Sequence, residues 1–209
     1  MSFDPKTSEL ELKFAIPAHS ILDTEKALDE FLEGKGFEPP ILITGQDRFY
    51  SLGSKFFRIR HDTWWLEGKF NTGHTLTVKE RRSKESLINR KEVDLTCPSH
   101  ENPAEFFRML GAEYSFSIDK TYTVWKEETD KAPKLVVAIY RACDAAGEKV
   151  NFFLEVEVEK DGDWSLEERL SRLESFSSEV VNWLGLDKAV NVSLYEMYKP
   201  ESVFKGPRC

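Results

Sequence analysis

The sequence is short of the residues that build metal clusters and covalent frameworks. Among 209 residues there are three cysteines, Cys97, Cys143 and Cys209, and four histidines, His19, His61, His74 and His100. The cysteines are odd in number, widely spaced and lack a C-x-x-C pair, which excludes a disulfide framework and points to reduced thiols. The histidines stand singly, with no H-x-H or H-E-x-x-H, so a zinc site is not expected. No apolar run approaches the ~20 residues of a membrane span. The opening MSFDPKTSELELK is polar and has no apolar secretion-signal core. A cytoplasmic protein without a membrane partner is therefore expected. Gly53-Ser54-Lys55 and Gly34-Lys35-Gly36 are fragments of a P-loop, not a complete one, and no Ser, Cys and His grouping suggests a triad. No repeat or low-complexity linker divides the chain, so residues 1–209 read as a single domain.

What is present is material for a core and an unusual amount of charge. Hydrophobic residues make up 40%, with 15 phenylalanines, enough to fold without disulfides. Charged residues reach 32% and the net charge is −8, which taken whole disfavours an anionic partner. The average conceals a split. Positions 48–91 hold 11 Lys and Arg against 4 Asp and Glu, a local +7 that leaves −15 for the rest.

The dominant periodicity is two, which means strands. Segments 8–16, 41–50, 55–60, 64–69, 74–82, 88–95, 113–126, 134–142 and 150–160 read as strands. Short turns separate several of them, among them Leu52-Gly53-Ser54 and Asn71-Thr72-Gly73-His74, so neighbours are antiparallel. Helices are expected over 20–33, over 103–110 behind an Asn102 cap, and over 166–184 behind a Ser165/Glu168 capping box. The expected class is α+β, mainly antiparallel, with eight or so strands and flanking helices.

Alternation places charge on single strand faces. Glu9, Glu11 and Lys13 share one side; so do Arg58 and Arg60, Thr77 and Lys79, Arg90 and Glu92, and Glu155, Glu157 and Glu159. For one strand, a solvated face explains this well enough. Carboxylates on the first and last strands with cations between them suggest more. A polyphosphate needs both: Arg forks and Lys charges for its oxygens, and carboxylates for the Mg²⁺ or Mn²⁺ it carries. Closing the sheet into a barrel with that face inward would hold these groups in a tunnel where charges act strongly. The interleaved carboxylates fit a small polyanion better than nucleic acid.

Glu9-Leu10-Glu11-Leu12-Lys13 is an E-x-E-x-K motif. With R-x-R at Arg58 and Arg60, Lys79, R-x-E at Arg90 and Glu92, Lys120, F-x-E-x-E at Phe153, Glu155 and Glu157, and the ending Ser193–Met197, the chain resembles the CYTH superfamily, the triphosphate tunnel metalloenzymes, over roughly residues 8–199. The resemblance implies a closed eight-stranded antiparallel β-barrel. Arg58, Arg60, Lys79, Arg90, Lys120 and Arg141, with Lys13, would grip a triphosphate. Glu9, Glu11, Glu155 and Glu157 would hold one or two Mg²⁺ or Mn²⁺ ions. Glu92 is open between a metal-side carboxylate and an ion-pair partner of Arg90. Lys13, expected to be crowded by arginines, is a candidate base or a phosphate ligand, and Glu11 a catalytic carboxylate. The implied activity is metal-dependent hydrolysis of a triphosphate. A class IV adenylate cyclase and a non-catalytic nucleotide or polyphosphate sensor are the alternatives, and a homodimer is compatible.

Two features depart from the family pattern. Asp47 is followed two positions on by Phe49 where many members have tyrosine, and Tyr50 should face the other way. The strand Leu135–Arg141 lacks the carboxylate that many members place before F-x-E-x-E. Trp64-Trp65 reads as packing or an interface more readily than as base stacking.

Overall fold

The computed structural model describes residues 8–53, 55–79, 89–99, 101–159, 163–190 and 192–199, with the backbone alone at 8, 9, 79 and 89–92. It is an α+β structure: eight strands in one antiparallel sheet, with helices packed on it. The strands are β1 (Ser8–Ile16), β2 (Ile41–Leu52), β3 (Lys55–Leu66), β4 (Lys69–Lys79), β5 (Asn89–Thr96), β6 (Glu113–Lys126), β7 (Leu135–Asp144) and β8 (Val150–Val158). Neighbours run β1-β5-β4-β3-β2-β6-β7-β8. β1 pairs with β8 over Leu10–Ile16 and with β5 only through Ser8, Glu9 and Leu10.

The expected strand 55–60 and the first half of the expected strand 64–69 are one strand, β3, which ends at Leu66, and the turn expected at 71–74 lies inside β4. The reversal occurs instead at Glu67 and Gly68, with φ of 51° and 74°, between the paired residues Leu66 and Lys69. Two consecutive positive-φ residues match the right-handed twist of a two-residue hairpin. Gly73 serves β4 for another reason: a Cβ there would lie 3.2 Å from the Trp64 ring.

The apolar faces dictate where the helices sit. Helix α1 (Ile21–Leu32) and helix α3 (Leu166–Leu184) cover Leu10, Phe14, Val137, Ile139, Leu154 and Val156 of β1, β7 and β8. The α3 capping box forms as expected, with Ser165 and Glu168 satisfying each other's backbone N–H, and Gly185 ends the helix at φ 62°. Trp125 Nε1 donates to Asp29 and Thr123 Oγ1 to Glu25, tying α1 to β6. Helix α2 (Glu101–Met109) starts before the expected Asn102 cap, with Pro103 in its first turn where no N–H partner is needed. Its Phe107 closes over Tyr50, Phe57, Ile59 and Leu76.

These packings leave the opposite face, the inner one, to the charged residues. One end of the inner face is filled by helix α4 (Leu194–Tyr198), which is itself capped by Ser193 and Glu196. Tyr195 stacks on Phe56 at 4.6 Å and meets Phe49 at 5.7 Å, while Phe49 stacks on Phe116 at 4.9 Å. Tyr198 donates to the Ala142 carbonyl and accepts from Asn151, and burial pushes its hydroxyl pKa up to about 12. No helix among the described residues is long and apolar enough to cross a membrane.

Candidate functional site

Strand pairing builds the site. Asp47 of β2 lies opposite Arg60 of β3, Arg58 lies opposite Thr77 of β4, and Thr77 opposite Asp94 of β5. Lys13 of β1 lies opposite Glu155 of β8, and Glu11 opposite Glu157. All these residues fall on the face opposite the apolar outer residues of their strands.

At the centre, Arg60 grips Asp47 with two donors, Nε to Oδ1 at 2.7 Å and Nη2 to Oδ2 at 3.1 Å. Asp47 is 1% exposed. Burial alone would raise its carboxyl, but Arg60, Lys120 and Arg58 outweigh that and hold it well below the usual carboxylate range. Burial likewise works against the Arg60 charge, and Asp47 more than offsets it. Lys120 lies 4.0 Å from Asp47 Oδ2, with its ammonium over the rings of Tyr122 and Tyr140 at 4.9 and 4.6 Å. Burial, then repulsion from Arg60, lowers the Lys120 pKa from 10.5 to about 8, although Asp47 and Glu155 pull the other way. Asp47 is thus held by Arg60, Lys120 and Arg58 together, while Asp62 also acts on Arg60 and Glu155 on Lys120.

The facing wall carries the carboxylates. Lys13 Nζ lies 3.3 Å from Glu11 and 3.2 Å from Glu155, and Tyr140 donates to Glu155 at 3.1 Å. Arg58 Nη2 donates to Thr77 at 2.9 Å, and Thr77 donates to Asp94 at 2.6 Å.

Lys13, Glu11, Arg58, Arg60, Lys120 and Glu155 are therefore brought to one inner face, with Glu157 beside Glu11 in register. Two expectations change. Arg141 is exposed on the outer face, because Tyr140 and Ala142 take the inward positions on β7. Lys13 contacts carboxylates where arginine crowding was expected; the lysine crowded by arginines is Lys120. Trp64 shares the inner side with Arg60, while Trp65 points outward and is 63% exposed. The side chains of Glu9, Lys79, Arg90 and Glu92 lie outside the described residues; their backbones pair as Glu9 with Arg90 and Lys79 with Glu92.

Sequence reasoning missed Asp47 as a charge organiser, and also Tyr122, Tyr140 and Asp62. Asp47 lies opposite Arg60 in register, whereas Asp62 lies between two glycines and Tyr122 opposite Ile43 and Tyr140, pairings that alternation along one strand does not reveal. Phe49 belongs to the aromatic plug and Tyr50 faces α2.

The carboxylates suit a hard divalent ion in kind. Among the described residues no three acidic, His or Cys groups stand close enough to hold an ion by themselves. Mg²⁺ does not require that, since one or two carboxylates with phosphate oxygens suffice. Glu11 and Glu155 already converge on a single cation, the Lys13 ammonium.

No family model matches the chain, and no curated protein does. Solved structures do. The PH1819 protein of Pyrococcus horikoshii OT3 superposes with a TM-score of 0.62 at 18% identity, over 88% of this chain and 94% of its own. The PH1012 protein of the same organism gives 0.59 at 20% identity, over 90% and 98%. These likenesses show the fold. The RNA triphosphatase domain of a mimivirus mRNA capping enzyme is looser, with a TM-score of 0.48 at 10% identity over 86% and 90%, and carries no functional inference.

Proposed function

We propose that the chain is a single triphosphate tunnel domain of the CYTH type, a closed barrel that hydrolyses a triphosphate with Mg²⁺ or Mn²⁺. The observation that carries this reading is the pairing of two walls: Arg58, Arg60 and Lys120 on β3 and β6 against Glu11, Lys13 and Glu155 on β1 and β8. Arg58, Arg60 and Lys120 converge around the buried Asp47, and a polyphosphate on this wall would meet guanidinium forks and an ammonium together.

In this reading Arg58, Arg60 and Lys120 bind the phosphate chain and stabilise charge on the departing phosphate. Lys13 reaches the phosphate from the opposite wall. Glu11 and Glu155, with Glu9 and Glu157, would hold the metal, whose chemistry is to neutralise phosphate oxygens. Carboxylate oxygens on that wall also orient the attacking water, whose oxygen bonds to the terminal phosphorus as the P–O bond to the leaving phosphate breaks. The partner is a small triphosphate molecule; neither a membrane nor a nucleic acid is required.

The test is incubation of the pure protein with Mg²⁺ or Mn²⁺ and, in turn, tripolyphosphate, ATP and thiamine triphosphate. Orthophosphate release supports hydrolysis. Cyclic AMP with pyrophosphate would replace hydrolysis by cyclisation, and saturable binding without turnover would make the protein a sensor. Absence of binding would overturn the tunnel reading.

A further inference from the structure

Beyond Arg60 on β3, the inner face carries a second polar feature that phosphate binding does not use. Asp62 lies two residues on, and its neighbours in register on both sides are glycines, Gly45 on β2 and Gly73 on β4. A Cβ at Gly45 would lie 2.1 Å from Asp62 Oδ1, so the carboxylate occupies the space a side chain would fill. On the other side the Trp64 ring leans over Gly73, 3.2 and 3.3 Å from a Cβ built there. Tyr122 hydrogen-bonds to Asp62. Asp62 Oδ1 is nevertheless buried with no hydrogen-bond partner among the described residues. A buried acceptor left unpaired costs free energy and calls for an explanation.

The position on the strand supplies one. The other end of β3 enters the aromatic plug at Phe56, so Asp62 and Trp64 lie on the side of the phosphate-binding arginines away from α4. A carboxylate accepts hydrogen bonds and repels phosphate. Bare polyphosphate reaching past Arg60 would meet negative charge, whereas an organic head bearing N–H or O–H groups would satisfy it. The half-buried indole beside it offers a flat face.

We propose that Asp62 and Trp64 are specificity-determining residues that read the organic head of the substrate, a triphosphate ester of a flat, hydrogen-bond-donating heterocycle. The proposal rests on the triphosphate reading above and narrows it. Asp62 Oδ1 accepts from the head group and Trp64 stacks on it, and the two glycines make room for the Asp62 carboxylate and the Trp64 ring in these positions.

The test is calorimetric titration of the full chain and of Asp62→Asn, Asp62→Ala and Trp64→Leu with tripolyphosphate, ATP and thiamine triphosphate, after circular dichroism shows each variant folded. The parent is expected to bind at least one of the two organic triphosphates ~10-fold or more tighter than tripolyphosphate, the scale of a satisfied buried acceptor. Each variant should lose most of that preference while its tripolyphosphate affinity holds or rises. A preference unchanged in all variants, tighter parent binding to tripolyphosphate, or equal weakening toward every ligand would overturn the assignment. Failure of the folded parent to bind any of the three would instead overturn the triphosphate reading itself.

Discussion

Lys120 gives the sharpest quantitative expectation. Its side chain is 6% exposed, and burial with repulsion from Arg60 brings its pKa from 10.5 to about 8. In the free protein it is therefore mostly charged at pH 7 and only ~10% charged at pH 9. A triphosphate in contact with it restores the charged form, so binding at pH 9 takes up close to one proton. Affinity should fall by up to ~10-fold per pH unit above about 8. The stability of the empty protein moves the other way. Between pH 8 and 10.5 the unfolded chain holds a proton at this lysine that the folded chain does not, so stability rises with pH across that window. The gain is on the order of 3 kcal/mol at its upper end. The assay is calorimetric titration with tripolyphosphate at pH 7 and 9 in buffers of different ionisation enthalpy, comparing parent with Lys120→Arg. The arginine keeps its charge throughout, so the difference between the two proteins isolates Lys120 from the titration of the phosphate. Equal proton uptake by parent and variant at pH 9 would refute the reasoning.

Other expectations follow from single contacts. Asp47→Asn removes the buried carboxylate that Arg60 grips and should cost ~3–5 kcal/mol in urea unfolding at pH 7. The parent's Asp47 contribution is complete above pH 3.8 and is lost as pH falls through its depressed folded value, so the gap between the two proteins should close in acid. Tyr195→Ala removes the ring stacked on Phe56 and should cost ~3–5 kcal/mol, read from the denaturation midpoint. Arg58→Gln should weaken triphosphate binding by ~10–100-fold, whereas Arg141→Ala should leave it unchanged because that side chain is exposed on the outer face. Glu11→Gln should abolish Mg²⁺-dependent orthophosphate release without changing the circular dichroism spectrum.

Most of the sheet was legible because period-two alternation survives wherever one face is buried. The same rule put Glu11 with Lys13, Arg58 with Arg60, and Glu155 with Glu157 on single strand faces, while Lys120 came only from the resemblance. What was not legible depends on contacts across strands. Asn71–His74 carries turn residues, but the positive-φ positions fall at Glu67 and Gly68, and Gly73 is small because Trp64 leans on it. Arg141 matched a residue type, yet the face of β7 that carries Val137 and Ile139 points outward and takes Arg141 with it. Lys13 and Lys120 are both motif lysines. Only the structure separates the one flanked by carboxylates from the one pressed against arginines.

The central claim is that the inner face is a triphosphate site. Its most direct test is titration of the intact protein at pH 7 with tripolyphosphate and Mg²⁺, followed by calorimetry. The predicted result is saturable binding at one site per chain, weakened by Arg58→Gln and by salt. A folded protein that shows no saturable binding would contradict the account.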